Sequence, residues 1–145
     1  MMRGSVWALV AAVAVSGSAV AQARDGVTWY AILSETGQQL GHASYEVVPR
    51  DGGRDLIETQ EVYLREEGGA PTRTRTRTVT TEDAAGVTTS IVETQRTGRF
   101  DVRSEVRIAD GVARLTRQTP SGVVSQDAVL PAGARFDGGE ALLRD

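Results

Sequence analysis

Charged and β-branched residues alternate at the start of positions 72–83, which read Thr-Arg-Thr-Arg-Thr-Arg-Thr-Val-Thr-Thr-Glu-Asp. A period of two residues is typical of a β-strand, because successive side chains of a strand point to opposite faces of the sheet. The segment therefore predicts one long strand. Runs of similar length lie on both sides of it, and each run is bounded by a turn rich in glycine. We expect this strand to lie near the middle of a meandering antiparallel sheet.

Three further strands are predicted before this segment, at residues 27–34, 39–49 and 56–65. The first two are separated by a polar turn that contains Gly37, so they are predicted to form a hairpin. The second strand places the small residues Gly41 and Ala43 on one face. They leave room for a large side chain, and Trp29 or Tyr30 across the hairpin could fill it.

Four strands are predicted after the central segment, at residues 87–97, 99–109, 112–118 and 123–130. The segment 99–109 is the most amphipathic of the chain. Its apolar face carries Phe100, Val102, Val106 and Ile108, whereas charged residues occupy the alternate positions. The dipeptide Asp110-Gly111 that follows is the strongest short signal for a hairpin in this sequence.

These patterns together predict an all-β fold of about eight long strands in one antiparallel up-and-down meander. Long strands and tight turns favour a strongly curved sheet or an open half-barrel. The predicted β domain spans residues 24–131. The tail, residues 132–145, includes the start of a short C-terminal helix at 139–144, which is too short to be stable by itself. We therefore expect the natural polypeptide to continue beyond Asp145, so that this chain is a fragment or an N-terminal module.

The N-terminus, residues 1–23, has the pattern of a signal peptide. A short positive region with Arg3 precedes an apolar segment at 6–15, and small residues allow cleavage after Ala21 or Ala23. The apolar segment is shorter than the roughly 20 residues that a retained transmembrane helix needs. No cysteine follows it that could carry a lipid anchor. We expect a periplasmic or secreted protein without a stable membrane anchor after cleavage.

Composition excludes several classes of function. The chain has no cysteine, which rules out disulfides, thiol chemistry and zinc sites with cysteine ligands. The 16 basic residues are all arginine, yet the net charge is −3 and both signs are interspersed through the strands. No nucleic-acid surface is therefore expected. Aromatic residues make up only 5% of the chain, which argues against a platform for stacking bases.

Residues 29–33 read Trp-Tyr-Ala-Ile-Leu, and residues 37–43 read Gly-Gln-Gln-Leu-Gly-His-Ala. An Arg/Thr-rich strand, a strand bounded by glycine before Phe100, and a Leu130-Pro131 ending follow them. This order of features resembles the β-rich N-terminal region that precedes the catalytic domain in bacterial exported transglutaminase-like proteins. The resemblance covers nearly all of the chain after the signal peptide.

In that family the chemistry belongs to a Cys-His-Asp triad in the following domain. The present chain has no cysteine and one histidine, so it cannot carry the triad, and no catalytic residue can be transferred to it. The resemblance implies an accessory module or a fragment of a longer protein, and we expect this chain to be non-catalytic, without cofactor or metal. Its partner would be an adjacent catalytic domain or a protein of the envelope, and any transglutaminase-like chemistry would lie downstream.

His42 is the only histidine, and it is the residue on which an enzyme alternative depends. Histidine can serve as a general base or a metal ligand. A base needs a nucleophile and an orienting group, and Ser44 and Glu46 lie on the same face of the predicted strand. This hydrolase-like interpretation competes with the simpler one, in which His42 is a partly exposed strand residue.

Charged residues form two groups whose roles the sequence leaves open. Acidic residues on and after the third strand could pair across the next hairpin with arginines; these are Glu58, Glu61, Glu66 and Glu67, and Arg73, Arg75 and Arg77. Surface pairs of this kind contribute roughly 0.2–1 kcal/mol each. The arginine row is interpreted as a solvated face, with binding of an anionic envelope polymer as the alternative. The acidic tail residues Asp137, Glu140 and Asp145 suit a helix N-terminus rather than a metal site.

Five aromatic residues are expected to fill the concave side of the sheet: Trp29, Tyr30, Tyr45, Tyr63 and Phe100. Large residues are scarce there, so the alternative is a groove that binds an acyl chain or another apolar ligand, as in a free-standing periplasmic carrier. The two interpretations predict different surfaces. A module should expose an apolar docking patch near the C-terminal tail, whereas a carrier should enclose a cavity.

Overall fold

The computed structural model describes residues 22–24, 26–65 and 68–134. These residues form one antiparallel sheet of nine strands, whose spatial order is the order along the chain. The strands are β1 (Gln22–Arg24), β2 (Val27–Leu33), β3 (Gln39–Arg50), β4 (Gly53–Leu64), β5 (Thr72–Asp83), β6 (Thr88–Thr97), β7 (Phe100–Ala109), β8 (Val112–Thr119) and β9 (Gly122–Val129). The predicted all-β meander is confirmed, with β5 at its centre.

The predicted strands agree closely with the observed ones. β5 has the predicted bounds, and β4 begins at Gly53 rather than at Leu56 because Gly53 continues the pairing with Arg50 and Asp83. The three-residue strand β1 was not predicted. The helix expected at 139–144 lies outside the described residues, as does all of the predicted signal peptide except Gln22 and Ala23. No helix in the described ranges is long and apolar enough to cross a membrane.

The hairpin between β7 and β8 shows how local sequence sets the geometry of the turns. Asp110 and Gly111 have φ angles of 51° and 74°, and Ala109 faces Val112 directly across the turn. Two consecutive positive φ angles match the right-handed twist of the adjoining strands. Aspartate and glycine are among the residues that adopt this conformation at least cost. The hairpin predicted from Asp110-Gly111 is therefore confirmed.

The sheet is open, with β1 and β9 as its two edges. Over residues 26–65 and 68–134 no second layer covers either face. Leu56 and Ala113 are the only apolar residues classed as buried there, and none of the large side chains is fully buried. The stability of the sheet therefore depends on the backbone hydrogen bonds between its strands and on half-buried contacts between side chains of neighbouring strands. Its curvature remains a prediction.

Candidate binding surface

A row of mostly apolar residues crosses the sheet perpendicular to the strands. Each member lies directly opposite the next in the register of β3 to β8. The members are Val47, Leu56, Thr80, Ile91, Val106 and Leu115. Directly opposite residues point to the same face, and neighbouring strands lie about 4.8 Å apart, so the row is about 24 Å long. We call it the apolar stripe, and the face that carries it the apolar face.

The apolar stripe is buried at its centre and exposed at its ends. Leu56 and Thr80 are 4% and 7% exposed, whereas Val47 and Leu115 are 41% and 39% exposed. The ends leave large aliphatic groups in water, where burying them against a partner would be favourable.

Polar residues border the apolar stripe along one side and beside β4 and β5 on the other, where β7 and β8 instead place Ile108 and Ala113. On one side the neighbouring row contains Tyr45, Glu58, Thr78, Glu93, Ser104 and Arg117. On the other side Arg54 Nε lies 2.6 Å from Glu82 Oε2, and Glu82 is 5% exposed. An apolar strip with polar borders is the usual composition of a protein interface.

The aromatic residues do not share one face, so that expectation is wrong. Tyr30, Tyr45 and Phe100 lie on the apolar face, and Phe100 is 56% exposed. Trp29 and Tyr63 lie on the opposite, polar face. Side chains alternate between the two faces along each strand. Two residues that are an odd number of positions apart, counted along a strand and across the register, therefore point to opposite faces.

The small residues Gly41 and Ala43 differ in what they accommodate. Tyr30 lies directly opposite Ala43, as one of the two predicted arrangements requires. At Gly41 the space is occupied by backbone, because an added Cβ would lie 1.9 Å from the carbonyl oxygen of Glu61. Glycine is needed there for the close approach of β3 and β4.

Glu61 is the centre of a hydrogen-bonded cluster on the polar face. Its carboxylate accepts hydrogen bonds from Arg73 Nη2 and from Tyr63 Oη, while the residue is only 7% exposed. The hydrogen bond from Arg73, followed by that from Tyr63, lowers the pKa of Glu61 below its ordinary value. The same bonds raise the pKa of Arg73 and of Tyr63. The cluster therefore holds a charged carboxylate in place.

The predicted ion pairs are confirmed in part. Arg73 pairs with Glu61, but Glu58 lies on the apolar face opposite Thr78 and cannot reach the arginine row. Arg75 and Arg77 are exposed on the polar face and form no ion pair within the described part of the chain. Glu66 and Glu67 are not among the described residues. The arginine row thus presents the guanidinium groups of Arg75 and Arg77 to solvent, whereas that of Arg73 is bound to Glu61.

His42 lies beside residues from both neighbouring strands, β2 and β4. Glu61 lies directly opposite it on β4, and the ring of Trp29 packs at 5.6 Å between centroids with a tilt of 45°. Between positions 26 and 65, no hydrogen bond joins His42 to Ser44 or Glu46. The carboxylate of Glu61 is instead bound by Arg73 and Tyr63. The arrangement therefore does not assemble a nucleophile, a base and an orienting group.

One surface depression lies beside Arg54 at the border of the apolar stripe and away from His42. It is lined by Gly53, Arg54 and the turn at residues 83–86. Charged side chains and turn backbone form its walls, which do not suit an acyl chain. Among the described residues, no three acidic or histidine side chains come together where a metal ion could bind. The acidic tail residues named above lie outside the described ranges.

Comparison with models of protein families, with curated proteins and with solved structures finds no match to this chain. The fold and its surfaces define a class of protein in physical terms only. Over its described residues it is a single-layer antiparallel sheet that carries the apolar stripe on one face and the arginine row on the other.

Proposed function

We propose that this chain is an exported, non-catalytic β module that binds another polypeptide along the apolar stripe. The partner is an adjacent domain of the same protein or a protein of the cell envelope. On the family resemblance, the adjacent domain is transglutaminase-like, and the catalytic residues belong to it. The observation that carries this proposal is the apolar stripe. Strand pairing brings its residues together from six strands, and Val47 and Leu115 at its ends are exposed to solvent.

A sheet with one apolar face gains stability when a second layer covers that face. On this sheet the exposed large groups Phe100, Leu64 and Val124 lie on the same face as the apolar stripe. Phe100 and Val124 lie toward the end of the sheet that holds the 119–122 turn, whereas the C-terminal tail, where the module hypothesis places a docking patch, leaves β9 at the opposite end. A covering polypeptide would remove these groups from water together.

The shape of the surface favours a polypeptide over an acyl chain. Ligand sites for small apolar molecules bury most of the ligand surface in a concave pocket. The apolar stripe is exposed to solvent at its two ends, and residues such as Glu93 and Arg117 border it with hydrogen-bonding groups. A polypeptide can pair with these groups at its polar rim, whereas a hydrocarbon chain would leave them without compensation.

Site-specific photocrosslinking in the source cells tests this function. A benzophenone amino acid replaces Leu115 in the apolar stripe, and the matched control replaces Gln118, which is exposed on the polar face of the same strand. After irradiation, adducts in the exported fraction are identified by mass spectrometry. We expect Leu115 to crosslink to another polypeptide, or to a further domain of the same polypeptide, and Gln118 to give little product.

Three results would contradict the proposed function. Equal crosslinking at Leu115 and Gln118 would mean that the apolar stripe has no preferred partner. A lipid adduct at Leu115 would favour the carrier alternative. A product that contains only a second copy of this β module would show self-association without the proposed partner.

A further inference from the structure

The backbone of β9 alternates between residues that bond to β8 and residues that face outwards. Thr119 faces Gly122 across a two-residue turn, and Leu130 N–H donates to the carbonyl of Gly111 at 2.8 Å. Both observations place the hydrogen-bonding groups of the even-numbered residues toward β8, because bonded and non-bonded pairs alternate along an antiparallel ladder. The residues whose N–H and C=O groups point to the free edge are Val123, Ser125, Asp127 and Val129.

The free edge of β9 lacks the features that usually protect an edge strand. It is eight residues long, every residue is exposed, and its pairing with β8 contains no bulge. It has no lysine or proline, and its one charged residue, Asp127, accepts two hydrogen bonds from Arg114 at 2.8 and 2.9 Å. Natural sheets commonly block such edges with charge, proline or a bulge. The opposite edge, β1, is only three residues long.

We propose that β9 pairs with β9 of a second copy of this chain, antiparallel and centred on Gln126, so that two sheets join into one. The occupant is a second copy because the strand is complementary to itself in this register. Val123 then faces Val129 of the other copy, and Ser125 faces its Asp127. The four outward residues of each copy supply four donors and four acceptors, which gives eight interchain hydrogen bonds.

Other registers that use the outward groups are less favourable. Centring the pair on Asp127 would place two carboxylates directly opposite each other, which is destabilising. Centring it on Ser125 would place Asp127 against Val123 and leave Val129 without a partner. In the register centred on Gln126, the side chains of Val123 and Val129, which are 63% and 85% exposed, cover each other.

The dimer would also extend the apolar face. The two-fold axis is perpendicular to the sheet, so both copies present their apolar faces on the same side. Leu115 faces Gln126 within each copy, and the row would continue through Gln126 of the second copy to its Leu115. The pairing itself does not depend on the proposed function, since the edge geometry alone carries it.

Single cysteine variants test the register, because the chain has no cysteine of its own. In Q126C the two thiols would lie in a non-hydrogen-bonded pair, with Cα atoms about 4.5 Å apart, within the range of a disulfide. In the control V124C each thiol would face Ala128 of the other copy instead. After mild oxidation of the purified, signal-cleaved protein, we expect Q126C to form a covalent dimer and V124C to remain largely monomeric. Equal crosslinking of the two variants, or none, would overturn the proposal.

A proline variant tests the hydrogen bonds of the edge. Ser125→Pro removes an N–H that points away from β8, so the β8–β9 hairpin should survive. Ser125→Ala keeps that N–H and is the matched control. Sedimentation should show a dimer for the wild type and for S125A, and at least a tenfold weaker dimer for S125P. A wild-type monomer would overturn the proposal, and slow exchange of the Ser125 amide in that monomer would mean that another segment or partner occupies the edge.

Discussion

Glu61 on β4 accepts a hydrogen bond from Arg73 on β5, although Arg75 is the residue directly opposite Glu61 in the register. Arg73 lies opposite Tyr63, whose hydroxyl group donates to the same carboxylate. The acid thus binds a diagonal cross-strand partner and a residue two positions along its own strand. Because this cluster lowers the pKa of Glu61, it predicts how the stability of the protein depends on pH.

Glu61→Gln should destabilise the protein more near neutral pH than in acid. The folded state holds the pKa of Glu61 below its ordinary value of 4.5, mainly through Arg73. The carboxylate therefore contributes stability above about pH 4.5, and that contribution is lost as the pH falls through the lowered pKa. Urea unfolding at about pH 6 and about pH 3 should show a difference between E61Q and wild type that shrinks in acid.

The control for this experiment is the same substitution made in an Arg73→Gln background. Removal of the guanidinium group takes away the main cause of the lowered pKa. The pH dependence of the effect of Glu61→Gln should therefore be smaller in that background. An effect of equal size at both pH values in the wild-type background would contradict the assignment.

Gly41→Ala should weaken the pairing of β3 and β4. The new Cβ would lie 1.9 Å from the carbonyl oxygen of Glu61, so the two strands must separate locally. We expect the free energy of unfolding to fall by about 2–4 kcal/mol. Ala43→Ser, two residues along on the same face, already has a Cβ and should have a much smaller effect. Chemical denaturation of both variants measures the difference, and equal stabilities would refute the role of Gly41.

Leu56→Ala should cost more stability than Leu115→Ala, although both remove the same atoms from the apolar stripe. Leu56 is 4% exposed and Leu115 is 39% exposed. Truncation of a buried leucine costs about 2–5 kcal/mol, and this thin sheet should lie near the lower end because solvent can enter the space. Leu115→Ala should cost less than about 1 kcal/mol in the isolated protein. A larger loss for Leu115 would indicate that a partner or second layer covers it.

The turn between β7 and β8 should tolerate only certain residues. Asp110 has a φ of 51°, and asparagine adopts this left-handed conformation with little strain. Asp110→Asn should therefore be nearly neutral, whereas Asp110→Val should cost about 1–2 kcal/mol because its β-branched side chain disfavours positive φ. Thermal unfolding of the two variants gives the comparison. A valine variant as stable as the asparagine variant would contradict the turn geometry.

The long strands could be predicted because their evidence is local. The bounds of β5 follow from its alternation of threonine with charged residues, and the hairpin at Asp110-Gly111 follows from the backbone preferences of two residues. The three residues of β1 are too few to show a period, so this strand could not be found in the same way. It becomes visible through its pairing with Val27 and Trp29.

The partners of the charged residues were only partly predictable. Glu61 and Arg73 were among several candidate pairs, and no local pattern distinguished Arg73 from Arg75. Glu58 lies three residues from Glu61, which places it on the opposite face of the same strand. The choice between arginines depends on diagonal distances and on the hydroxyl group of Tyr63, both of which exist only after β4 and β5 have paired.

The sequence by itself determined the strands, their order along the chain and most of their turns, because short-range preferences control each of these. The tertiary structure decided which face each strand contributes to the shared surface. Tyr45 lies opposite Glu58, and Tyr63 is five residues further along β4, so the two tyrosines point to opposite faces. The apolar stripe depends on the same register across six strands. A slip of one residue in any hairpin would turn that strand over, and only the joint packing of all strands selects one register.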